Sequence, residues 1–157
     1  MAKSSLQDLL QIEHPIIMAP MFLVSNVAMT IEGMKQGVAA CIPALNYRTL
    51  EELRAACKEL KAAKTSNGAY GFNLIVNKSN PKFSAQLKVI CEEGADFIIT
   101  SLGNPKTTID AAHKVGIKVF CDVVDLPMSK KVDSLGADAL IAVNNQAGGH
   151  RGGKDPQ

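Results

Sequence analysis

Gly94-Ala95-Asp96-Phe97-Ile98-Ile99 sets a glycine directly before a run of apolar, β-favouring residues, and the arrangement returns two modules later as Gly136-Ala137-Asp138-Ala139-Leu140-Ile141. Glycine takes the left-handed conformation that ends a helix without a Cβ penalty. Residues apolar on consecutive positions suit a strand covered on both faces, as in a parallel sheet. A helix stop followed at once by such a strand is the joint of a repeating strand–helix module. Gly37 and Gly116 stand at two further joints of the same kind.

The rest of the chain repeats the alternation. Apolar runs fall at Pro15 to Pro20, Val38 to Leu45, Tyr70 to Val76, Phe97 to Leu102, Lys118 to Val124 and Ala139 to Asn145. Between them, apolar residues recur at helical spacing: Val27, Ile31 and Met34; Leu50, Leu53, Cys57 and Leu60; Phe83, Leu87, Ile90 and Cys91; Met128, Val132 and Leu135. Thr49 with Glu52 forms a capping-box pattern, and Asn80-Pro81 and Asn104-Pro105 each place an N-cap residue before a proline at the first helical position. This makes five strand–helix units, a sixth strand and the glycine-rich segment Ala147 to Gly153. A doubly wound sheet usually carries a GxGxxG phosphate loop after its first strand, but here that turn reads Met21-Phe22-Leu23-Val24-Ser25-Asn26. A (β/α)8 barrel fits the module size and typically takes about 250 residues. The expected fold class is therefore α/β, a partial (β/α)8 TIM barrel with about six parallel strands in one domain over residues 1–157, ending before strands seven and eight.

Composition narrows the function. Of 157 residues, 46% are apolar and 20% charged, enough for one core. The net charge of +2 is dispersed, and five Phe, two Tyr and no Trp offer little stacking surface, so nucleic acid is set aside as a partner. No apolar stretch approaches the roughly 20 residues that span a bilayer, so no membrane association is expected and the chain reads as cytoplasmic. Cys41, Cys57, Cys91 and Cys121 are too widely spaced for a zinc or redox pair and read as core thiols.

In a barrel, active sites form at the C-terminal ends of the strands. There the chain offers Ala19-Pro20-Met21, Asn46, Asn73, Thr100 and Ser101, Asp122, and Asn144, Asn145, Gln146 and His150. Amides and hydroxyls suit hydrogen bonding to a flat heterocycle, but strand-end asparagines also make ordinary turn and cap bonds, and for any single one the structural reading stands ahead. Asn73 leans toward function, because its neighbours Phe72 and Leu74 are apolar and a buried amide needs partners. The segment Ala147-Gly148-Gly149-His150-Arg151-Gly152-Gly153 reads equally as a loop that brings backbone and an imidazole to a ligand, or as a flexible tail. His14 and His113 read as structural.

Three ordered motifs resemble those of nitronate monooxygenases, once called 2-nitropropane dioxygenases: His14-Pro15-Ile16-Ile17-Met18-Ala19-Pro20-Met21, Gly71-Phe72-Asn73-Leu74 and Gln146-Ala147-Gly148-Gly149-His150-Arg151-Gly152. The same superfamily contains flavin-dependent enoyl-acyl carrier protein reductases. The resemblance implies a TIM-barrel flavoprotein oxidoreductase with FMN as cofactor, Met21 against the isoalloxazine, Asn73 hydrogen-bonded to it and His150 as the catalytic histidine. It implies oxidation of an alkyl nitronate by dioxygen; the alternative is reduction of an enoyl thioester. Where relatives often read Ala-Gln-Gly before Glu-Ala-Gly-Gly-His, this chain has Ala142-Val143-Asn144-Asn145-Gln146, a departure beside the reacting face. The family's phosphate anchors follow strands seven and eight, so residues 1–157 alone are expected not to hold FMN or turn over. A non-catalytic alternative is an inactive fragment that forms homo-oligomers through open sheet edges.

Overall fold

The structure, a computed structural model, describes residues 5–149 and 151–155. Six strands form one sheet in sequential order: β1 (Ile17–Met18), β2 (Ala39–Pro43), β3 (Ala69–Ile75), β4 (Phe97–Ser101), β5 (Lys118–Val123) and β6 (Ala139–Ala142). Every neighbouring pair is parallel. The sheet curls into a partial barrel wall. Five helices lie in the crossovers: α2 (Val27–Lys35), α3 (Leu50–Ala62), α4 (Phe83–Glu93), α5 (Lys106–His113) and α6 (Leu126–Ser134), preceded by a short α1 (Leu6–Leu10). Among the described residues, no helix is long and apolar enough to cross a membrane.

Alternation along the strands sorts the side chains into two layers. Ile42, Phe72, Leu74, Ile98, Val119 and Cys121 face outward and pack with Leu53, Cys57, Leu60, Leu87 and Ile90 of the helices. Ala39, Cys41, Ala69, Phe97, Ile99 and Phe120 face inward, with Leu10 and Ile12 closing over them. Phe97 and Phe120 stack inside the wall with ring centroids 5.4 Å apart. Gly71 makes room for them, since a Cβ there would lie 2.5 Å from the Phe97 carbonyl oxygen and 2.7 Å from its ring.

The expected boundaries move in physically readable ways. β1 is reduced to two residues between Pro15 and Pro20, neither of which can donate to a ladder. α4 and α5 begin at Phe83 and Lys106, so Pro81 and Pro105 precede the first helical residue instead of occupying it. The cause is an Asx turn at each: Asn80 Oδ1 accepts from Lys82 N and Asn104 Oδ1 from Lys106 N. The Thr49/Glu52 capping box forms as expected. Gly37, Gly94, Gly116 and Gly136 all have positive φ.

The repeated Gly-Ala-Asp has a common task. Asp96 N donates to Tyr70 O, and Asp96 Oδ2 accepts from Tyr70 N at 2.8 Å. Asp138 N likewise donates to Val119 O, and Asp138 Oδ2 accepts from Val119 N at 2.8 Å. Each aspartate grips both backbone groups of the second residue of the preceding strand. A side chain covers each carboxylate, Lys64 at 2.7 Å from Asp96 and His113 at 2.8 Å from Asp138, with Lys118 also 3.3 Å from Asp138.

Candidate functional site at the C-terminal ends of the strands

Toward the C-terminal ends of β3, β4 and β5 the inward-facing positions turn polar: Asn73 after Ala69 and Gly71, Ser101 after Phe97 and Ile99, Asp122 after Phe120. The parallel register brings the three side chains into one chain of hydrogen bonds. Asn73 Nδ2 donates to Ser101 Oγ at 2.8 Å and to the Ile99 carbonyl at 3.2 Å. Ser101 Oγ donates to Asp122 Oδ2 at 2.5 Å. Burial raises the Asp122 carboxyl above its ordinary value, and the Ser101 hydroxyl partly offsets that. Asn73 itself is buried.

Around this polar row the loops are unusually apolar. Met21, Phe22, Leu23 and Val24 after β1, Leu45 after β2, Leu102 after β4 and Val124 and Leu126 after β5 are all exposed. A rim of this kind suits the faces of a flat ring, with the polar row meeting its edge. The loop after β1 is tethered: Leu23 N donates to Asn46 Oδ1, Asn46 Nδ2 donates to Ser25 O, both at 2.9 Å, and Met21 N donates to Ser25 Oγ. Asn46 therefore takes the structural role weighed for it.

Of the expected site residues, Asn73 lies in the polar row. Met21 sits in the tethered loop at the same end, with no hydrogen bond to that row among the described residues. His150 lies outside the described residues. The segment around it is folded back and is no bare tail: Gly152 N donates to Asn144 O, Asn145 N to Lys154 O and Arg151 Nη1 to Asn145 O. Gly152 is buried so closely that a Cβ would come within 2.1 Å of Val143 O. Ser101 and Asp122 stood among the rim residues without being singled out. The signal for them was period-two counting forward from Phe97 and Phe120, which puts both on the face of Asn73.

The described residues hold no group of three or more His, Cys, Asp or Glu placed for a metal ion. The four cysteines are free; burial pushes the Cys57 thiol up to about 12 and raises the other three, which suits packing and not reactivity. Two shallow grooves, one between α2 and α3 and one between α4 and α5, lie among the outer helices away from the polar row.

Comparison with known proteins places the chain in a family. The nitronate monooxygenase family profile matches residues 67–157, which carry Asn73, Ser101, Asp122 and the glycine-rich segment. The chain is 25% identical over 150 residues to the (3aS,4S,5R,7aS)-5-hydroxy-7a-methyl-1-oxo-octahydro-1H-indene-4-carboxyl-CoA dehydrogenase of Mycobacterium tuberculosis, covering 96% of this chain and 41% of the relative. It is 34% identical over 73 residues to a nitronate monooxygenase of Paraburkholderia phytofirmans, covering 46% of this chain and 20% of that protein. The structure of FabK from Thermotoga maritima superposes with a TM-score of 0.86 at 30% identity, over 98% of this chain and 48% of FabK. The chain thus spans less than half the length of each of these proteins.

Proposed function

Since the chain belongs to the nitronate monooxygenase family, we propose that it forms the substrate- and ring-binding part of an FMN-dependent oxidoreductase that oxidises alkyl nitronates with dioxygen. The observation that carries this reading is the Asn73–Ser101–Asp122 row set inside an apolar rim at the strand ends. These residues fit the ring of a flavin: the rim supplies apolar surface for its faces, and the row supplies a directed polar group for its edge. Bound FMN would supply the electron chemistry.

This chain's own residues bind, orient and move the proton. Met21 and its tethered loop would lie against the ring, and Asn73 would hydrogen-bond to its edge. His150, named by the Gly-Gly-His resemblance, takes the α-proton of a neutral nitroalkane, a transfer open to an imidazole acting as general base. Phe97, Phe120 and α1 fill the barrel below and keep water out of it. By the family resemblance the phosphate would be held after strands seven and eight, and on that reading residues 1–157 by themselves would neither retain FMN nor turn over. The protein acts in the cytoplasm.

A second reading is favoured by the relative named for a carboxyl-CoA substrate, which matches 96% of the chain: reduction or oxidation of a thioester through the same flavin. The full-length protein separates the two. Oxygen uptake with an alkyl nitronate supports the first; NADPH consumption with an enoyl thioester and no oxygen uptake with nitronate overturns it. For residues 1–157 alone, the open edges of β1 and β6, with Ile16 and Leu140 exposed, favour self-association. Gel filtration of that piece at increasing concentration reads it directly.

A further inference from the structure

The hydrogen-bond chain at the strand ends has a fixed direction, which can be worked out donor by donor. The Ile99 carbonyl can only accept, so the Asn73 atom 3.2 Å from it is the amide nitrogen, and the side chain cannot be turned over without setting two acceptors face to face. That nitrogen has two hydrogens. One goes to Ile99 O and the other to Ser101 Oγ. Ser101 therefore accepts from Asn73, and its single hydroxyl hydrogen is left for Asp122 Oδ2, 2.5 Å away. Asp122 sits at the end as an acceptor and holds that hydrogen away from Asn73. With both amide hydrogens committed, Asn73 has only its carbonyl Oδ1 left to offer a ligand.

An oxidised isoalloxazine has several acceptors along its polar edge, at N1, O2, O4 and N5, and a single N–H, at the imide N3. A ligating group that can only accept meets that N–H or meets repulsion. We propose that Ser101 and Asp122 are positioning residues that lock Asn73 as a hydrogen-bond acceptor, so that it takes the imide N3–H of the bound flavin and thereby sets which edge of the ring lies against β3. The inference rests on the flavin reading above and goes beyond it in assigning two residues and one ring atom. Ser101 and Asp122 touch the flavin only through Asn73.

The test compares the dissociation constants of FMN and 3-methyl-FMN, which lacks the imide N–H, for the apo form of the full-length protein. The wild type binds 3-methyl-FMN about ten- to a hundredfold more weakly, the loss expected when a buried acceptor goes unpaired. Ser101→Ala and Asp122→Ala bring that ratio down to severalfold or less, mainly by weakening FMN. Ser101→Thr keeps the hydroxyl and keeps the ratio. Thermal unfolding of each variant accompanies the titrations, and the Thr variant carries the test if the Ala variants fail to fold: a ratio lost despite the retained hydroxyl overturns the proposal. A merely architectural role would weaken both flavins equally and leave the ratio of the Ala variants at the wild-type value, which also overturns it. Equal binding of the two flavins by the wild type sinks the edge assignment while leaving the flavin reading standing. Binding of neither flavin by the wild type sinks both.

Discussion

At the N-terminal ends of the strands, charge is spent on backbone: Asp96 and Asp138 each grip both backbone groups of the preceding strand's second residue, under a covering Lys64 or His113. At the C-terminal ends the polar side chains bond to one another, commit both amide hydrogens of Asn73, and stand among exposed Phe22, Leu23, Leu102 and Leu126. One end is closed by α1 and saturated; the other keeps a directed acceptor and a wetted apolar rim. Solvent-exposed apolar surface costs free energy in the protein alone. That cost is offset where a ligand covers the rim, so stability and function are divided between the two ends of one sheet.

The sharpest way to test that division is at the functional end. Replacing His150 with Ala in the full-length protein leaves the flavin bound and lowers turnover of a neutral nitroalkane by about 10²- to 10⁴-fold. Preformed nitronate, already deprotonated, loses far less. Steady-state kinetics on the two substrates read the difference, and equal losses on both would make His150 a loop-shaping residue instead of a base.

The counterpart inside the closed end is Phe120→Ala. It removes one ring of the 5.4 Å stack and leaves a cavity beside Phe97 and Gly71. Urea unfolding is expected to show a loss of about 3–5 kcal/mol. A loss under 1 kcal/mol would mean the lower barrel is loosely filled, and the contrast between the ends would fail.

Acid titration sharpens the contrast with opposite signs. Burial alone would raise the Asp138 carboxyl, but the Val119 N–H, His113 and Lys118 more than offset it and hold it below its ordinary 3.8. Its contribution is thus present above that value and lost as pH falls through the lower folded value. Burial raises the Asp122 carboxyl above 3.8, with Ser101 only partly opposing. Its ionised form therefore burdens the fold at neutral pH, and protonation relieves that burden as pH falls toward 3.8. Asp138→Asn costs about 1–3 kcal/mol at neutral pH and flattens the acid loss of stability; Asp122→Asn steepens it. Unfolding free energies measured across the acid range decide, and the same slope change in both variants would contradict the division.

Much of the fold was legible because each module carries its own punctuation. The glycines at 37, 94, 116 and 136, the capping box at Thr49 and the apolar stripes are local signals, and local signals survive in a bare sequence. What stayed hidden depends on pieces meeting across the sheet. Nothing near Ser101 in the chain announces Asn73 or Asp122; only the register of β3, β4 and β5 does. Asn46 looked like a possible ligand and is a tether for a loop twenty residues earlier in the chain. α1 went unread although Ser5 and Asp8 form a capping box and Leu6, Leu9 and Leu10 fall at helical spacing, because a single helical turn is too short a run to announce itself before it is set over the barrel floor.

The smallest expected effect concerns Leu23. It sits at φ 60, a conformation a bulky side chain adopts at a cost of about 1–2 kcal/mol, and the Asn46 bond to its N–H holds it there. Its side chain is 73% exposed, so removing it gives up little packing. Leu23→Gly relieves the backbone strain but loosens the unfolded chain, at a cost of about 0.4–1 kcal/mol. The net is a gain in stability of about 0.5 kcal/mol by urea unfolding. Flavin titration of the full-length variant is expected to show weaker binding, because the apolar side chain is lost from the rim. A residue that makes the protein less stable where it stands, yet tightens its grip on a ligand, belongs to the functional end. If Leu23→Gly instead destabilised the fold by more than about 1 kcal/mol, outside the range of an exposed substitution, the loop after β1 would be part of the structural framework and the rim would lose its claim to be a binding surface.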